Sequence, residues 1–186
     1  MLEKDAVSAG VSPVGGLFSV AEIRILICYI LSSIDQPVPG RMLADTLHYE
    51  AIANCFEVND SIAAMCETGH LKLYSKEDDT YVITELGRQT AETLKTTLPL
   101  TVKDRAHTAV LKMVSRFNRA KESEFKLSCE NGKMFLTCSA IDNGIPFMSV
   151  KLMVTDQDQA NFIKERFLNS GDNIYAQLIS LLTKDK

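Results

Sequence analysis

Asn54, Asn59 and Ser61 lie close together in the chain, interleaved with Glu57 and Asp60 and followed by Glu67. On one helix, such side chains are of the kind that read base edges. An asparagine pairs with adenine, and a carboxylate accepts from the amino group of cytosine. Arg41, Lys72 and Lys76 flank this stretch and supply the charge that phosphate contacts need. The candidate contacts to double-stranded DNA are therefore Arg41, Asn54, Asn59, Ser61, Lys72 and Lys76.

Other chemistry is harder to assemble. His48, His70 and His107 stand alone, and none has a metal-binding spacing such as HExxH. Cys28, Cys55, Cys66, Cys129 and Cys138 form no CxxC pair. No glycine-rich phosphate loop or nucleophile elbow is present. Asp156-Gln157-Asp158 has the form of a DxD metal motif, but it follows a strand pattern and opens a helix, where acids favour the helix dipole. The expectation is a protein that is not an enzyme and takes no metal or cofactor. An odd cysteine count without a secretion signal implies reduced thiols and a cytoplasmic location. The apolar run Ile25 to Ile34 falls far short of the roughly 20 residues of a membrane span.

The elements that must position the candidate residues follow from periodicity. Residues 1 to 17 are small and aperiodic and are expected to form a mobile arm. Ser19 and Glu22 form a capping box ahead of a helix to about Ser33, with Ile23, Leu26, Ile27, Ile30, Leu31 and Ile34 on one face. Asp35-Gln36-Pro37 ends it. A second helix fits Pro39 to Leu47, and a third about Ala51 to Thr68, its stripe Cys55, Val58, Ile62, Met65 and Cys66, with Gly69 as its stop. His70 to Ser75 and Thr80 to Thr84 read as a hairpin, and Thr84 caps a fourth helix to about Thr97. Helix, helix, helix, hairpin, helix is the order of a winged helix-turn-helix, expected over residues 18–98.

Residues 99–186 read as a second, α+β domain. An amphipathic helix, about Val102 to Arg119, places Lys112, Arg116 and Arg119 on one face. Glu122 to Glu130 and Lys133 to Ala140 flank Asn131-Gly132, which fixes a hairpin register of Glu130 opposite Lys133, Leu127 opposite Leu136 and Phe125 opposite Cys138. That register sets Cys129 and Cys138 roughly 13 Å apart along the strand, too far for a disulfide. Asn143-Gly144 turns into a third strand, Phe147 to Thr155, expected to bury Met148, Val150, Leu152 and Val154. Thr155 is expected to cap one long helix to about Thr183, kinked or not. Its stripe includes Gly171, where a glycine permits close packing on the sheet. The fold class is α+β: an N-terminal winged helix-turn-helix followed by a small three-stranded antiparallel sheet packed with helices.

The segment Met65-x-x-x-Gly69-His70-Leu71, with Tyr81-Val82-Ile83-Thr84-Glu85-Leu86-Gly87, resembles the wing of many bacterial winged-helix regulators. More of the chain is similar to a bacterial winged-helix family known as domain of unknown function 4364. The likeness is carried by Ile25 to Ile34 with Pro37, Asn54-x-Phe56, Tyr81 to Gly87, Glu130-Asn131-Gly132-Lys133 and Asp172-Asn173-Ile174-Tyr175. The resemblance implies a transcriptional regulator and supplies no ligand, target or catalytic residue.

Charge divides the functional readings. From Phe18 to Leu98, six basic and twelve acidic residues leave a balance of −6, while the part from Pro99 onward carries +3. The third helix has no lysine or arginine, and the wing tip Glu77-Asp78-Asp79 would be repelled by phosphate. One reading is a homodimeric DNA-binding regulator, with further positive charge from Lys112, Arg116, Arg119 and Lys121. The alternative is a protein-interaction module that uses the same scaffold without DNA.

Overall fold

The structure is a computed structural model that describes residues 19–184, and of Gly171 and Asp172 only the backbone. The arm read over residues 1 to 17 and the packing role read for Gly171 lie outside this description. Among the described residues the chain is α+β, with two separate three-stranded antiparallel sheets. It divides into two compact units, Met1–Val114 and Ser115–Lys186.

The first unit opens with α1 (Val20–Ile34), capped reciprocally by Ser19 and Glu22 and closed by Asp35 in the left-handed region. Ile23, Leu26, Ile27, Ile30 and Leu31 are all buried, as the three-and-four spacing requires. A two-residue strand β1 (Val38–Pro39) precedes α2 (Gly40–Tyr49), so Pro39 is the cap of that helix and not its first residue. The next helix, α3 (Cys55–Glu67), begins with its apolar stripe at Cys55 and later than the expected start near Ala51. Ala51 has φ 53°, outside helical space, and Asn54 caps the helix by accepting from the Phe56 N–H.

The strands β2 (Leu71–Ser75) and β3 (Thr80–Ile83) form the hairpin, and β1 pairs with β3 to complete a sheet in the order β1-β3-β2. Thr84 joins the end of α3 to the start of α4 (Glu85–Leu94). Its hydroxyl lies 2.6 Å from the Gly69 carbonyl, to which it donates, and accepts from the Gly87 N–H. A side chain at Gly87 would run into the His70 carbonyl oxygen. The Thr-x-x-Gly signature is therefore a packing solution, in which the cap ties α4 to the segment that follows α3 and the glycine lets α4 approach the backbone at His70.

A 3₁₀ turn, Lys95–Thr97, leads into α5 (Leu100–Lys121), whose residues Val102, Ala106, Val110, Met113 and Val114 join the first core. The division between units thus falls inside α5 and not at Pro99, because the apolar face of this helix up to Val114 is used by the first core.

The second unit pairs β4 (Ser123–Glu130), β5 (Lys133–Asp142) and β6 (Ile145–Val154) in that order. The expected register holds at every pair, from Glu130↔Lys133 to Phe125↔Cys138. The turns behave as read, with Asn131, Gly132, Asn143 and Gly144 all at positive φ. All five cysteines are free.

One long helix, α6 (Gln157–Thr183), follows and breaks its helical geometry at Ser170, beside Gly171. Its cap is Asp156, accepting from the Gln159 N–H at 2.8 Å, one residue beyond the expected Thr155. The second core is small: Leu136, Cys138, Val154, Ala160 and Phe167. It centres on β5, so the edge strand β6 buries only Val154 of its four expected residues. Met148 and Val150 are half-buried, and Leu152 is exposed.

Candidate functional site

The six candidate residues do not form one surface. Arg41 lies in the first turn of α2 with its side chain in solvent. Asn59 is exposed on α3, and Lys72 and Lys76 are exposed on β2 and in the turn that follows it. Asn54 is not on the helix face, because its side-chain oxygen is spent as the cap of α3. Ser61 is not on the surface either. It is 1% exposed, and its hydroxyl has no hydrogen-bond partner.

The solvent face of α3 is made by Phe56, Asn59, Asp60, Ala63 and Glu67, with Glu57 half-buried beside them. It carries three carboxylates and no cation. Phe56 is 75% exposed, and Tyr49, at the end of α2, is 92% exposed. The sequence reading gave neither aromatic a surface role. Phe56 sits about 160° from Val58 on the helix wheel, so its exposure was available from the stripe that buries Val58 and Ile62.

The turn between β2 and β3 has a structural task that its composition hides. Asp79, at φ 50°, folds back onto the start of α2. Its backbone carbonyl accepts from Gly40 N–H at 2.8 Å, and its carboxylate accepts from Arg41 N–H at 3.2 Å and from the Tyr81 hydroxyl at 2.9 Å. Pro39 offers no side-chain cap, so Asp79 supplies one from 38 residues away. Burial, then the Asp79 hydrogen bond and charge, push the Tyr81 phenol up to about 12. A Cβ on Gly40 would come within 2.6 Å of the Tyr81 ring, which explains a glycine at the first position of α2.

The consequence is electrostatic. The N-terminus of α2 is a natural anion site, and here it already holds a carboxylate. In the second unit, Arg116 pairs with Glu165 at 2.6 Å, and Arg119 donates to the Leu168 carbonyl at 2.5 Å. These two cations hold α6. A cavity of about 170 Å³ opens beside Arg119 among Ala140, Ile141, Phe147, Phe167 and Tyr175, about the size that admits a single small ring. Among the described residues no group of three His, Cys, Asp or Glu side chains is placed to hold a metal ion. No described helix is long and apolar enough to cross a membrane.

These features define a two-unit α+β protein whose most distinctive surface is an acidic, aromatic helix face. The family defined as domain of unknown function (DUF4364) matches residues 23–182, and the chain belongs to it. No curated protein and no solved structure matches the chain.

Proposed function

We propose that the first unit is a winged helix-turn-helix in which α3 occupies the place of the recognition helix, and that this face docks a protein partner presenting a basic, apolar segment. The order α1, β1, α2, α3, β2, β3, α4, with β1 closing the hairpin sheet, supports the scaffold. One observation carries the docking reading. The exposed face of α3 carries Phe56, Asp60 and Glu67, with Glu57 half-buried next to Phe56 and no lysine or arginine among them. A duplex draws most of its baseline affinity from phosphate neutralisation, and this face offers the opposite sign. An exposed aromatic on an acidic helix face suits an arginine- or lysine-bearing apolar segment, which gains ring contact and charge complementarity together.

The alternative is a DNA-binding regulator. It is favoured by Arg41, Lys72 and Lys76, whose side chains are exposed and make no ion pair within the described residues. Titration of labelled random duplex DNA, read by fluorescence anisotropy at low salt, separates the two. The docking reading expects no binding at tens of micromolar, and saturable binding of a short Arg/Leu-containing peptide that is lost in the E57Q/D60N/E67Q variant. DNA binding that weakens with salt on a log–log slope near −0.9 per phosphate contact would overturn it and restore the regulator.

A further inference from the structure

The second half of α6 carries an apolar surface that its own unit leaves open. From Asn173 to Thr183 the helix has no charged residue. At 3.6 residues per turn, Leu181, Ile174, Leu178, Leu182, Tyr175 and Ile179 fall within an arc of about 160°. Of these six, only Ile174 packs against the second core. Tyr175, Leu178 and Ile179 are 42%, 37% and 44% exposed, and Leu181 and Leu182 are 74% and 75% exposed.

The patch continues onto the sheet. The Phe147 ring meets Tyr175 edge-to-face at 5.4 Å, and Phe147 and its neighbour Ile145 are themselves exposed. Taking about 150–250 Å² for a whole aromatic side chain and somewhat less for Leu or Ile, these fractions leave on the order of 700 Å² of apolar surface in water. That is more than the roughly 300–600 Å² of the largest patch on a typical monomer. It is close to the ~800 Å² that each partner gives to a standard interface.

We infer that this face is a homodimer interface, covered by the same face of a second copy of the chain, with two α6 helices packed across a two-fold axis. The patch carries no charge, so placing it against itself creates no like-charge contact and calls for no complementary partner. Tyr175, Leu178 and Leu182 recur at three and four, the spacing of a helix-pair seam. The inference uses only the second unit and stands apart from the reading of α3.

Sedimentation equilibrium of the full chain from 1 to about 100 µM tests it. The expected mass at tens of micromolar is twice the 20.6 kDa of one chain. Leu181 and Leu182 touch solvent, so L181E/L182E is expected to keep the far-UV circular dichroism of the native chain while weakening the dimer by at least ~100-fold. Ile145→Glu, outside the helix, is expected to weaken it by ~10-fold, and Phe56→Glu on α3 to leave it unchanged. A native chain that stays monomeric at 100 µM overturns the inference. So does a dimer that survives both the α6 and the Ile145 substitutions, or one abolished by Phe56→Glu.

Discussion

Replacing Ser61 with alanine is expected to stabilise the protein. The Ser61 side chain is 1% exposed on the inner side of α3, and its hydroxyl finds no partner. An unpaired buried hydroxyl costs about 1–3 kcal/mol relative to its hydrated state. Alanine removes that cost and is also the better helix former, by up to about 0.7 kcal/mol. Against this stands the lost volume of one oxygen atom, a void smaller than a methyl group and worth no more than ~1 kcal/mol. The net expectation is a gain of about 1 kcal/mol. In a unit of this size that raises the melting temperature by roughly 4–8 °C. Urea and thermal unfolding of the full-length S61A variant, followed by circular dichroism at 222 nm, measure it directly. The same variant is expected to keep whatever binding the α3 face has, because the side chain does not reach that face. A variant destabilised by 1 kcal/mol or more would refute the placement of Ser61 as an unsatisfied core group. Loss of binding with stability intact would return Ser61 to the surface role its sequence neighbourhood implied.

Gly87→Ala is expected to destabilise the first unit by about 2 kcal/mol or more, since the new Cβ meets a backbone carbonyl that cannot step aside; urea unfolding of the variant checks it. Tyr81 should titrate near 12 in an alkaline absorbance titration, and Tyr81→Phe should remove that phase. The folded phenol holds its proton more tightly than the unfolded one, so its contribution to stability is fully present below about pH 10 and is lost as pH rises toward 12. Stability that falls equally in the Tyr81→Phe variant over that window would rule out the Asp79 contact as its source.

What the sequence made legible was local. The capping box at Ser19, the Asn131-Gly132 register and the apolar stripe of α1 are each decided by residues within a few positions of one another, and each stands in the structure as read. What it hid was settled at a distance. Asp79 reads as a repulsive wing-tip charge until its 38-residue reach to the start of α2 is seen. Ser61 reads as surface because serine is usually polar surface, yet it lies only about 60° from Val58 and Met65's side of the wheel falls between them. The edge strand β6 has the right alternation, yet of its four expected residues only Val154 is buried and Leu152 stays exposed. These misreadings share one cause. Side-chain period gives the direction of a face, whereas the partner that covers the face is a tertiary fact. By the same argument the apolar half of α6 is a direction already fixed by its sequence, with a partner that its own sheet does not supply.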